Sequence, residues 1–130
     1  MKKLLTLLAV IALILSGNYI YQKATKTVEK QIVNQITVDQ LISKDSQRGK
    51  YIFYRISSGT TALDLLKKNT QLKIKGEGVN AYVVSINGKE AMTTKKEYWA
   101  FYINGKPATA GAGSYKLKQG DKIEWKIEKY

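Results

Sequence analysis

From about residue 32 to the end of the chain, apolar and polar positions mostly alternate, the period of strands whose two faces meet different surroundings. Ile36, Val38 and Leu41 mark a first strand, and Tyr51–Ile56, rich in β-branched and aromatic residues, a second. Ser43–Gly49 (SKDSQRG) reads as a turn-rich loop between them. After Ser57-Ser58-Gly59 the alternation gives way to a helical pattern. Thr61 stands in an N-cap position with Asp64 three residues on, as a capping box requires. Ala62, Leu63, Leu65 and Leu66 supply an apolar face, Lys67 and Lys68 suit the C-terminal end, and the helix should finish near Asn69. Strands resume at Gln71–Lys75, with Leu72 and Ile74 on one side, at Tyr82–Ile86 and at Tyr98–Ile103. Asn87-Gly88 and Asn104-Gly105 are hairpin signals. Tyr115 and Leu117 suggest a short strand. After a turn at Gly120-Asp121, Ile123, Trp125 and Ile127 alternate with Lys122, Glu124, Lys126 and Glu128, one face buried and one wet. The order β-β-α followed by several strands predicts an α+β domain, a small mixed or antiparallel β-sheet with one helix, β-grasp-like.

The first residues follow another pattern. Met1-Lys2-Lys3 is a basic start, and Leu4–Leu15 (LLTLLAVIALIL) is apolar except for Thr6. This reads as an export signal rather than a core helix. Two fates stay open: cleavage near Gly17-Asn18, or an uncleaved anchor continuing through Tyr19 and Ile20, at the lower limit of about 17 residues for crossing a bilayer. Either places the remainder on the extracellular side of the cell envelope. The expected organisation is therefore a leader over 1–24, a polar tether over 25–31 and one domain over 32–130.

Composition narrows the chemistry. In 130 residues there is no Cys and no His, which removes disulfides, thiolate sites, the commonest metal ligand and the commonest general base. No carboxylates have calcium-loop spacing; Asp121 and Glu124 read as solvated charges on an exposed face. No acid–base pair or Ser–Lys arrangement is favoured, so the expectation is no enzyme, no catalytic residues, no metal site and no required cofactor. The net charge is +12; without Lys2, Lys3 and Lys23 it is 19 − 10 = +9, attractive to any anion. Aromatic residues interleaved with lysines suit single-stranded nucleic acid, but export argues for no nucleic acid partner.

Two segments stand out as candidate binding elements. Ala110-Gly111-Ala112-Gly113-Ser114 reads either as a loop that lets a ligand approach backbone N–H groups or as a tight connection between strands. In Tyr98–Ile103, strict alternation puts Trp99, Phe101 and Ile103 on one face and Tyr98, Ala100 and Tyr102 on the other. The first set suits the core. The tyrosines are then either a stacking platform or a cover for the wet face. Nine Tyr against two Phe favours surfaces of this mixed character.

Taken in order, Gly59-Thr60-Thr61-Ala62-Leu63-Asp64-Leu65-Leu66, Tyr82–Gly88, Tyr98–Ala108, Gly111-Ala112-Gly113-Ser114-Tyr115 and Gly120–Trp125 resemble the transcobalamin-like C-terminal domain family, the bacterial DUF4430 domain. The resemblance covers about residues 33–128. It implies a small α+β domain that closes over one face of a corrinoid, with the ligand near the Tyr-Trp strand and the Gly-x-x-x-Tyr loop. Carried over by motif, the ligand-binding candidates are Tyr98, Trp99, Tyr102, Gly111, Gly113, Ser114 and Tyr115. Many bacterial relatives carry a lipobox Cys, and none is present here, nor any His to coordinate cobalt. In the carriers a helical domain supplies the other half of the pocket, so a single domain implies one open face, a dimer or a partner. Two readings follow. One is an exported, non-catalytic binding domain for cobalamin or another corrinoid or tetrapyrrole-like ligand, feeding a membrane importer. The other is a cell-surface module that binds a second envelope protein or a wall or membrane polymer.

Overall fold

In the computed structural model, which describes residues 2–43 and 49–130, the chain divides into two units, Met1–Asn34 and Gln35–Tyr130. The first is a single helix, α1 (Lys2–Val33). It takes in the polar segment 25–31, where Lys26, Glu29, Lys30 and Gln31 are good helix formers. Leu13, Ile14, Leu15, Tyr19 and Ile20 are exposed on it. No helix among the described residues is long and apolar enough to cross a membrane.

The second unit is α+β. Strands β1 (Gln35–Ile42), β2 (Ile52–Ser57), β6 (Glu97–Ile103), β7 (Lys106–Pro107) and β8 (Lys122–Lys129) form one sheet in the order β2-β1-β8-β6-β7. β3 (Leu72–Lys75), β4 (Tyr82–Ile86) and β5 (Lys89–Glu90) form a smaller antiparallel sheet. β1 runs parallel to β8, and the other pairs in the large sheet are antiparallel. Of the loop Ser43–Gly49, residues 44–48 lie outside the described residues.

The helix α2 (Ala62–Asn69) is the element whose origin is plainest. The Thr61 side chain accepts from the Asp64 N–H, and Asp64 accepts from the Thr61 N–H, closing the capping box. Ala62, Leu63, Leu65 and Leu66 are all buried. At about 1.5–3 kcal/mol for each buried leucine, this face does far more than the cap to fix the helix. The core joins it to Val38, Ile56, Trp99, Ile123 and Trp125 from the large sheet and to Val83 and Ile86 from the small one. Asn87 and Asn104 take positive φ (49° and 52°) ahead of Gly88 and Gly105 (81° and 78°), the backbone of the tight hairpin turns their sequence announced.

Two expectations change. Tyr115–Leu117 is not a strand but a segment with one isolated bridge, Thr61 to Lys116. Its backbone is engaged by the start of α2: Ala62 N–H donates to Tyr115 O at 3.0 Å and Leu117 N–H to Thr60 O at 2.9 Å. These bonds satisfy orphan groups at the helix start rather than a ladder. Asp121, read as a solvated charge, is buried, 5% exposed. Its Oδ2 accepts from the Tyr115 hydroxyl (2.9 Å) and the Lys118 N–H (2.9 Å), and its Oδ1 from Asn104 Nδ2 (3.0 Å). With these donors in place a buried carboxylate is tolerable.

Candidate functional site

β7 pairs only with Tyr102 and Ile103, so most of β6 has no strand alongside on that edge. Phe101 O accepts from Ala108 N–H at 2.9 Å, where the chain after β7 leaves the sheet. A cavity of about 300 Å³ lies along this open edge. Tyr98–Tyr102 form one wall, and Tyr82, Pro107, Gly111, Trp125 and Glu128 contribute to the rest.

The two faces of β6 meet this edge differently. On the core side Trp99 is 6% exposed and its Nε1–H donates to Lys89 O at 3.2 Å, while Phe101 stacks on Trp125 with centroids 4.9 Å apart. On the outer side Tyr98 is 43% exposed and Tyr102 half-buried. Register sets Tyr98 opposite Glu128 and Ala100 opposite Lys126. The small Ala100 lets Glu128 and Tyr102 reach towards each other across it. The Glu128 carboxylate accepts from the Tyr102 hydroxyl at 2.7 Å and the Tyr98 hydroxyl at 3.3 Å, and Lys126 Nζ stands 3.2 Å from it and 4.0 Å from the Tyr102 ring centroid.

The charges follow from these contacts. The Tyr102 hydroxyl holds the Glu128 carboxyl below its ordinary value, with Lys126 adding to the effect against partial burial. Hydrogen bonding to Glu128 raises Tyr102 in turn. Burial works to lower Lys126, and Glu128 with Tyr102 outweighs it, leaving the ammonium above its ordinary value. At neutral pH Glu128 is thus a carboxylate, Lys126 an ammonium and Tyr102 a neutral phenol. Among the described residues no set of carboxylates is grouped to hold a metal ion.

Beneath this surface Trp125 is 1% exposed, lines the cavity, and its indole N–H has no partner among the described residues. A buried donor without an acceptor costs about 1–3 kcal/mol.

Of the candidates named from sequence, Tyr98, Trp99, Tyr102 and Gly111 come together at this cavity. Gly113, Ser114 and Tyr115 do not line it. Gly113 lies so close to the backbone of Gly78 that a Cβ there would run into its carbonyl oxygen. Ser114 Oγ donates to Gly111 O at 2.9 Å, and Ala112 O accepts from Leu63 N–H at 3.0 Å. Tyr115 is held by Asp121 and by an edge contact with Phe101. The glycine-rich segment thus closes the start of α2 and presses on the 78–80 turn. Tyr82, Pro107, Trp125 and Glu128, not named as binding candidates from sequence, also line the cavity. Alternation in β8 already placed Glu128 on the wet face; its position opposite Tyr98 needed the register.

A family model described as "Domain of unknown function (DUF4430)" matches residues 59–129, more than half of the chain. No curated protein matches it. Among solved structures, the crystal structure of haptocorrin in complex with Cbi is similar with a TM-score of 0.63 and 22% identity, covering 74% of this chain and 25% of that one. The chain thus spans about a quarter of haptocorrin. A putative metal binding protein from Ruminococcus gnavus ATCC 29149 is similar with a TM-score of 0.56 and 12% identity over 75% of this chain and 98% of the other. At these identities the likeness is one of fold.

Proposed function

The chain belongs to the DUF4430 family, and on that footing we propose that it is a non-catalytic binding domain, held on the extracellular side of the cell envelope, for a flat ligand with polar edges, a corrinoid such as cobalamin. The observation that carries this reading is the cavity on the open edge of β6, where aromatic walls meet an unpartnered buried donor on Trp125. About 300 Å³ is at the small end of ligand sites. It takes one edge or side arm of a corrinoid and leaves the opposite face to solvent or to a second protein such as an importer. Amide side arms offer the acceptor that the Trp125 N–H lacks. The tyrosine ring edges, tied to Glu128, give a firm wall at low entropic cost. The similarity to haptocorrin, solved with Cbi, supports the choice of ligand class. Export of the domain rests on the basic and apolar start of the sequence, and with it the absence of nucleic acid from the proposed partners.

A second reading has its own observation. β2 is an edge strand of the large sheet; on it Ile52 and Phe53 are exposed at 56% and 61%, and Tyr51 just before it at 40%. An apolar edge of this kind suits strand addition by another envelope protein.

The test is a titration of the full-length chain, kept in solution by a non-ionic detergent, with cobinamide and cobalamin, read by calorimetry and corrin absorbance. The reading expects saturation with a Kd at or below about 10 μM, near −7 kcal/mol, weakened at least about tenfold by Tyr102→Ala, a loss of about 1.4 kcal/mol. Neither heat nor a spectral change up to about 1 mM contradicts it and turns attention to the β2 edge.

A further inference from the structure

A second cavity, of about 470 Å³, shares Tyr82, Val83 and Tyr98 with the first and is otherwise walled by different residues. Glu90, Met92, Thr93, Thr94, Glu97 and Tyr130 belong to it alone, with Lys75 on its rim. Its side chains are unusually bare for their chemistry. Tyr82 is 58% exposed, Met92 47%, Tyr98 43% and Tyr130 72%. The rings of Tyr98 and Tyr130 stand 6.3 Å apart at 55°, tilted rather than stacked, which leaves ring surface open. Glu90 has no hydrogen bond or ion pair among the described residues, and Glu97 commits only Oε2, which accepts from the Met92 N–H at 3.2 Å.

The charge balance is the reverse of the molecule's. The chain carries 22 basic and 10 acidic residues, yet this cavity's lining offers Glu90 and Glu97 against Lys75. An anion gains little there. A bare or strongly hydrated cation must shed water that open carboxylates do not fully replace. A cation with an apolar coat loses little hydration, and it gains from tyrosine faces, from a polarisable thioether and from carboxylates at the rim.

We propose that the cleft between Tyr82, Tyr98 and Tyr130 binds an alkylated ammonium group, its charge met by Glu90 and Glu97. The site does not depend on the corrinoid reading, because Glu90 and Tyr130 take no part in the first cavity. Each exposed ring adds a modest cation–π attraction, so affinity in the millimolar range follows.

Choline, compared with its uncharged isostere 3,3-dimethyl-1-butanol, tests this on the full-length chain in detergent, by amide and side-chain NMR shifts at constant ionic strength. Choline should shift Glu90, Met92, Tyr98 and Tyr130 saturably, with a Kd of about 1–10 mM, and the neutral alcohol should bind at least about fivefold more weakly. Glu90→Gln should weaken choline about threefold with the rest of the spectrum unchanged, and Tyr130→Ala about threefold to fivefold. Glu90→Gln and the isostere pair decide the matter even if Tyr130→Ala disturbs β8. Equal binding of the alcohol, or no saturable shift by about 50 mM choline, overturns the proposal.

Discussion

Two tyrosine–carboxylate pairs in this molecule look alike in bond length and differ in consequence. The Tyr115 hydroxyl donates to Asp121 at 2.9 Å, and the Tyr102 hydroxyl to Glu128 at 2.7 Å. Asp121 is 5% exposed and also serves Lys118 and Asn104, so its loss takes the acceptor from three donors at once. Glu128 sits on the outer face beside Lys126, where water can take over from any lost partner. A hydrogen bond is worth what replaces it when it is gone. The first pair therefore belongs to the fold. The second is free to serve a ligand, because changing it leaves the core as it is.

The strongest way to break this contrast is Asp121→Ala. It should lower stability by about 3 kcal/mol in urea unfolding, because Tyr115, Lys118 and Asn104 lose an acceptor together; a loss below about 1 kcal/mol would mean that water serves them already. Gln40 sharpens the same rule from the other side. It is 2% exposed on β1, and neither its Oε1 nor its Nε2 has a partner among the described residues. Gln40→Met should raise stability by about 1–2 kcal/mol, the cost of an unmet amide, and a fall in melting temperature would show that the amide is bonded after all.

Smaller effects follow at Tyr115 and at the helix cap. Tyr115→Phe should cost about 1 kcal/mol at neutral pH. Burial first, and Asp121 second, hold the Tyr115 phenol above its ordinary 10.0, so the neutral hydroxyl stabilises the fold below pH 10. The gap between wild type and Tyr115→Phe should therefore close as pH rises through the raised value, as alkaline melting curves can show. Smallest is the acid limb. The Thr61 hydroxyl holds the Asp64 carboxyl below its ordinary 3.8. The advantage of wild type over Asp64→Asn should be present above that value and fade as pH falls through the lowered one. An advantage that does not fall as the solution is acidified would contradict the capping role.

What could be read from sequence and what could not divide along similar lines. The capping box of α2, the faces of β6 and β8 and the Asn-Gly turns are local, each set by residues within a few positions. The family itself was legible in the ordered motifs between residues 59 and 129. The division of the strands between two sheets was not, because pairing partners such as Leu72 and Ile86 carry no mark of each other. Tyr115–Leu117 alternates like a strand, yet helix α2 claims its backbone. Asp121 looked like any turn carboxylate until Tyr115 and Asn104 closed on it. At the candidate site, the motif brought Tyr98, Tyr102 and Gly111 to notice, but the part Gly113 plays depends on Gly78, 35 residues earlier in the chain. Trp125 was legible as a core residue and not as a donor without a partner.

We propose that Tyr102 serves the ligand, whereas Tyr115 serves the fold. Measuring melting temperature and cobinamide affinity together for Tyr102→Ala and Tyr115→Phe tests it most directly. Tyr102→Ala should keep the melting temperature and lose at least about tenfold in affinity, whereas Tyr115→Phe should melt lower and, while folded, bind as the wild type does. A Tyr102→Ala variant that binds normally, or a Tyr115→Phe variant that loses affinity without losing stability, would contradict it.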